Sequence, residues 1–120
     1  MREERALLRG STDLVVLAVL ADGPLYGYGI AKRVTNGSDG HFRLTPGVLY
    51  PLLHEMEQQG LLLSSWDAVQ AEGSESGGRR RKWYRLSAKG KKQLARRAAA
   101  HRTVQRVIES FLPAPETEGA

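Results

Sequence analysis

Apolar residues recur every three to four positions along some stretches of this 120-residue chain and bunch into short runs in others, which predicts its elements. Over residues 7–21, Leu7, Leu14, Leu17 and Ala21 fall at helical spacing with Ala18 beside them, predicting a first helix. Ser11, Thr12 and Asp13 could cap an internal start. Asp22-Gly23-Pro24 stops it, because glycine suits the position after a helix end and proline cannot continue one. A short second helix is expected over residues 26–34, where Tyr26, Ile30 and Val34 share one face and Lys32 and Arg33 point elsewhere. Gly27 and Gly29 are poor helix formers, and make sense where another group packs closely on that backbone. Residues 35–40, TNGSDG, carry loop signals throughout.

A third helix starts at Thr45, a good N-cap, with Pro46 at the first helical position. Leu49, Leu52, Leu53 and Met56 follow as one apolar stripe, and Gly60 marks the stop. Pro51 argues for a break, since an interior proline costs about 3 kcal/mol in a regular helix. The stripe runs through it, so one helix, kinked or tightened near its start, is expected. Residues 61–66 and 82–86 read as strands, joined by a long loop rich in Gly, Ser and Glu that forms the tip of a β-hairpin. Ser87 caps a last helix from Ala88 to about Leu112, with apolar positions Leu94, Ala98, Val104, Val107, Ile108, Phe111 and Leu112. The tail from Pro113 has the composition of a disordered segment.

The fold class so predicted is mainly α with a small β-hairpin: a winged helix-turn-helix plus a C-terminal helix. Its organisation is a winged unit over residues 1–87 that includes the N-terminal helix, a dimerisation helix over 88–112 and a disordered tail over 113–120. There is no internal repeat. One domain is what this length supports.

Charge narrows the partners. The net charge is +5, and Arg79, Arg80, Arg81, Lys82, Arg85, Lys89, Lys91, Lys92, Arg96, Arg97, Arg102 and Arg106 run without an intervening acid. A basic balance favours polyanions, nucleic acid before anionic membrane. The later members suit a solvated helix face equally well. The block from Arg79 to Lys82 follows a Gly/Ser loop and can reach a phosphate backbone. With no cysteine there is no disulfide or thiolate site, which fits a reducing cytoplasm. The charged N-terminus lacks the apolar run of a signal peptide, and the run from Leu14 to Ala21 is far too short to span a bilayer, so a cytoplasmic protein is expected.

Candidate chemistry follows from the third helix. Its face opposite the stripe offers Thr45, Gly47, Val48, Tyr50, His54 and Glu55, and its N-terminus carries free N–H groups and a positive dipole end that suit a phosphate. Gly47 permits close backbone approach, and Tyr50 can hydrogen-bond a phosphate or stack on a sugar. Glycine followed by four cations at the hairpin tip can track phosphates or enter the minor groove. Tyr26 and Tyr28 read as either core aromatics or phosphate contacts. Trp66 and Trp83 read as sheet packing or as a platform for a flat ligand. His41, His54 and His101 have no metal-ligand spacing, no phosphate-cradling glycine motif is present and no serine has a nucleophile's surroundings, so no metal, no cofactor and no enzyme activity are expected.

The chain resembles the PadR family of bacterial transcription regulators. The resemblance is carried by Leu25-Tyr26-Gly27-Tyr28-Gly29-Ile30, by the run from Thr45 to Leu53 (TPGVLYPLL), by Glu57-Gln58-Gln59-Gly60-Leu61 and by the run from Gly78 to Gly90 (GRRRKWYRLSAKG). It covers about residues 11–94 and tolerates the proline in the third helix. It implies a homodimer, usually a repressor, on an inverted-repeat operator in double-stranded DNA. It also implies dimerisation through the C-terminal helix, often against the partner's first helix. It places DNA contacts at Tyr26, Thr45, Pro46, Gly47, Tyr50 and the cations Arg79, Arg80, Arg81 and Lys82. The self-contacts fall to Leu94, Ala98, Val104, Val107, Ile108 and Phe111. Some members hold flat ligands between aromatics at the dimer interface, which makes Trp66 and Trp83 candidates for a small aromatic or hydrophobic effector. A single helix after the wing matches the short-tailed subgroup. The wing departs from the pattern, being longer and more acidic at Glu72 and Glu75. A protein-interaction module on the same fold, without specific DNA binding, is the competing reading.

Overall fold

In the computed structural model, residues 2–67 and 81–116 are described. Five α-helices and three strands follow in the order α1 (Arg2–Leu8), α2 (Thr12–Val19), β1 (Leu25–Tyr26), α3 (Gly27–Gly37), α4 (Pro46–Gln58), β2 (Leu62–Trp66), β3 (Lys82–Leu86) and α5 (Ala88–Phe111). Short 3-10 turns at Arg9–Ser11 and Leu20–Asp22 flank α2.

The N-terminus differs from the sequence expectation. Helix begins at Arg2 rather than near Leu7, and the turn around Gly10 divides it. Ser11 stands at the start of α2 but its side chain makes no capping bond. Gly23 stops the segment at φ 141°, a conformation open to glycine. Tyr26 is not helical: with Leu25 it forms a two-residue strand, and α3 starts at Gly27 and runs on through Gly37. The expected loop over 35–40 is thus half helix.

α4 is continuous through Pro51. Its first turn is tightened, because the amides of Val48 and Leu49 both bond the Thr45 carbonyl, at 3.0 and 2.8 Å. The Thr45 side chain makes no capping bond, contrary to expectation. Pro51 lies on the exposed side, so the carbonyl it leaves without a helical partner can turn to water. The helix ends in a Schellman turn: Leu61 N–H bonds the Met56 carbonyl, Gly60 N–H bonds that of Glu57, and Gly60 takes φ 80°.

β1, β3 and β2 form an antiparallel sheet with β3 in the middle. Leu62 faces Leu86, Ser64 faces Tyr84 and Trp66 faces Lys82, while β1 sets Tyr26 opposite Trp83. Strand alternation therefore puts Leu62, Tyr84 and Leu86 on the core face. They close over Val16, Leu17, Leu20, Ile30, Val34, Leu49, Leu53 and Met56, all buried.

α5 starts as expected: Ser87 Oγ accepts the Gly90 amide at 2.9 Å. Its first turns lie on the body. Gly90 is buried, Leu94 packs against the core and Arg97 makes a two-pronged ion pair with Asp13 of α2, at 2.8 and 3.1 Å. That pair holds the Asp13 carboxyl below its ordinary range. Residues 99–116 are exposed throughout.

Candidate nucleic-acid interface

Three elements meet at Tyr50, one turn into α4. The first is α4 itself, whose opening residues Thr45, Pro46, Gly47 and Val48 are all exposed. Pro46 has no N–H, and the amides of Val48 and Leu49 turn back to the Thr45 carbonyl, while the Gly47 N–H has no backbone acceptor among the described residues. A Cβ added at Gly47 would meet nothing within 4 Å.

The second element is the β1–α3 corner. Tyr50 reaches back from α4 and lays its ring on Gly27, where an added Cβ would fall 2.7 Å from two ring carbons. This is the close packing that a glycine at this point of the sequence called for. Gly29 shows no such need, since its nearest neighbours are at ordinary distance. Tyr50 keeps 46% of its surface exposed. Tyr28 is more exposed still and stands 6.3 Å from Tyr26, ring centre to ring centre. Of the two sequence readings for Tyr28, the core aromatic is therefore not the one observed.

The third element is the base of the wing. The Arg81 guanidinium lies 5.0 Å from the centre of the Tyr26 ring, and the Lys32 ammonium lies 6.0 Å from that of Tyr28. Cation and ring attract electrostatically at such distances. Tyr26, Gly27, Tyr28, Tyr50, Arg81, Lys82 and Tyr84 line a shallow pocket of about 200 Å³. The surface is thus cationic and aromatic at once, which suits phosphate and sugar. Arg79 and Arg80 lie outside the described residues.

Lys82 is placed differently from Arg81. Its ammonium lies 3.3 Å from a Glu57 carboxylate oxygen at the end of α4, and 5.5 and 5.8 Å from the rings of Tyr84 and Trp66. Ser64 Oγ donates to the same carboxylate, and this hydrogen bond, with Lys82, holds Glu57 below its ordinary range. Burial raises the Tyr84 phenol. Lys32 stands two residues beyond the motif that holds Tyr28, so it could have been found there. Glu57 and Ser64 gave no sign of pairing with Lys82, since only the packing of α4 against the sheet brings the three together.

The tryptophans do not come together. Trp66 pairs with Lys82 and Trp83 with Ser65, so their side chains project from opposite faces of the sheet. Trp83 meets Tyr26 edge-on with ring centres 5.1 Å apart, while Trp66 is 54% exposed. Of the self-contact candidates, Leu94 and Ala98 are half-buried, whereas Val104, Val107, Ile108 and Phe111 are exposed along the outer half of α5. Among the described residues no group of three or more His, Asp or Glu could hold a metal, and no helix is long and apolar enough to cross a membrane.

The helices α2, α3 and α4 followed by the two wing strands β2 and β3, with the start of α4 exposed, define a winged helix-turn-helix protein. Comparison with known proteins gives the family. The model of the transcriptional regulator PadR-like family matches residues 16–96, and the chain belongs to that family of non-enzymatic DNA-binding regulators. The transcriptional regulator Rv3488 of Mycobacterium tuberculosis is 31% identical over 90 residues, covering 75% of each chain. A PadR family transcriptional regulator from Eggerthella lenta superposes with a TM-score of 0.78 at 28% identity, over 95% of this chain and 92% of that one. A PadR family regulator from Clostridium difficile is 33% identical, with a TM-score of 0.69 over 84% of this chain and 97% of that one.

Proposed function

We propose that the chain is a homodimeric repressor that binds an inverted-repeat operator, with the start of α4 in the major groove and the wing along the flanking backbone. One observation carries this reading: exposed Tyr28 and Tyr50, half-buried Tyr26 and the Arg81 guanidinium converge on one pocket that meets α4 at Tyr50, one turn after its exposed start. In it, Thr45, Pro46 and Gly47 let the phosphate backbone approach the helix start, Tyr26 and Tyr50 contact phosphate or sugar, and Arg81 continues the cationic track of Arg79 and Arg80. A cytoplasmic location accompanies this function.

Two half-sites need two heads. The apolar stripe Val104, Val107, Ile108 and Phe111, each more than half exposed, is more surface than a lone soluble helix leaves in water. We assign it, with Leu94 and Ala98, to the second copy. A small aromatic or hydrophobic effector fits the same reading as a releasing ligand, with Trp66 its reporter.

The test is selection of bound fragments from a genomic DNA pool, followed by gel shifts on the enriched sequence. The expected result is an inverted repeat bound far more tightly than random duplex, with affinity falling steeply as salt rises. No preference over random duplex at moderate salt would sink the proposal.

A further inference from the structure

Lys82 belongs to the basic wing block by sequence, yet its surroundings are not those of a phosphate contact. The Lys82 and Glu57 side chains are each largely covered, at exposures of 31% and 29%. The carboxylate is anchored a second time by Ser64 Oγ on β2. The rings of Tyr84 and Trp66 stand within 6 Å of the same ammonium. Glu57 is in the last turn of α4, Ser64 is on β2 and Lys82 opens β3. One carboxylate therefore ties both strands of the wing to the helix that carries the reading face. Arg81, one residue earlier, is exposed and has no acidic partner among the described residues.

We propose that Lys82 is a positioning residue: through Glu57 and Ser64 it sets the angle of the wing against α4, so that Arg81 and the cations before it meet the backbone while α4 sits in the groove. This rests on the DNA-binding reading above. Lys82 then adds nothing to the count of phosphates neutralised, although it is a cation in the wing.

Charge arithmetic separates the two roles. A lysine on a phosphate contributes about one unit to the slope of log affinity against log salt. Removing a nearby carboxylate would then lessen repulsion and tighten binding. A positioning pair predicts the reverse on both counts. Lys82→Met and Glu57→Gln should each weaken binding roughly fivefold, the upper range for a partly exposed ion pair, with the slope unchanged. The double variant should be no weaker than either single, and the exchange of both, Lys82→Glu with Glu57→Lys, should recover most of the affinity.

The probe is a fluorescein-labelled duplex from the enriched fraction of a random-sequence pool. Binding is read by anisotropy over a salt series, well below the melting temperature of every variant, so that loss of stability alone does not move it. Arg81→Ala is the reference for a direct contact and should lower the slope. A slope lowered by Lys82→Met, tighter binding by Glu57→Gln, or unchanged affinity in both singles overturns the proposal. Melts of the free protein keep the two readings apart. If the wild-type chain prefers no duplex, the regulator reading fails, and the Lys82–Glu57 coupling in the melts still decides whether the pair fastens the wing. Absence of that coupling also overturns the proposal.

Discussion

Replacing Gly90 by alanine sets two effects of opposite sign against each other. Alanine favours a helix over glycine by up to about 1 kcal/mol. Gly90, however, is buried where α5 crosses the end of α4. An added Cβ would overlap the Leu61 carbonyl oxygen and stand 3.1 Å from its carbon. The obstacle is backbone, which cannot rotate away as a side chain can. That carbonyl also accepts the Ser87 amide at 3.0 Å and the Ser87 hydroxyl at 3.1 Å, while Ser87 Oγ accepts the Gly90 amide. Forcing the chains apart costs about 1–3 kcal/mol for overpacking, and about 1 kcal/mol more for a weakened hydrogen bond. The net expectation is a loss of about 2 kcal/mol after the helix gain, or a melting point lower by roughly 8 °C for a chain of this size. Thermal unfolding followed by circular dichroism measures it, at one fixed protein concentration because association shifts the midpoint. A variant that melts at or above the wild-type temperature would show that propensity outweighs the close approach, and the reasoning would be refuted.

Three further outcomes follow from the geometry. Gly27→Ala should displace the Tyr50 ring with little change in melting point, since a mobile side chain can yield, and should weaken operator binding as much as Tyr50→Ala; equal affinity to wild type in anisotropy would separate Tyr50 from DNA. Asp13→Asn should destabilise the protein at about pH 5. A carboxyl depressed below its usual 3.8 by Arg97 contributes stability that is present above that value and lost as pH falls through the lower one, so the gap between the two melting curves should narrow in acid; a constant gap contradicts the pair. Ile108→Glu should halve the mass seen by light scattering and abolish operator binding while leaving the helical signal intact, and an unchanged mass would move the self-contact elsewhere.

Much of this was legible in the sequence, and the exceptions have physical reasons. The stripe Leu49, Leu53 and Met56, the Ser87 cap and the two wing strands were readable because their signals are local and periodic. β1 was not, because two residues cannot display a period; only pairing with β3 makes Leu25 and Tyr26 a strand. Thr45 marked the start of α4 correctly, yet its carbonyl rather than its hydroxyl accepts the free amides. Asp13 and Arg97 are 84 positions apart, and their pairing depends on how α5 lies across α2. For the same reason the motif assigned Lys82 by its neighbours in sequence, whereas Glu57 and Ser64 surround it in space. The tip of the wing, with Arg79 and Arg80, stays known by its sequence alone.

The outer half of α5 is a cantilever. Its root is clamped by Gly90, Leu94 and the Asp13–Arg97 pair, and residues 99–111 extend beyond the last of these as exposed helix. Thirteen residues rise about 20 Å, so a tilt of 10° at the root displaces the tip by roughly 3.4 Å. In the proposed dimer the tips meet and the roots carry the reading heads. A disturbance too small to alter the core then reappears, magnified, as a change in the distance between two half-sites. In that proposed dimer the spacing between the two heads is set where the Asp13–Arg97 pair fixes the root of α5, far from any base.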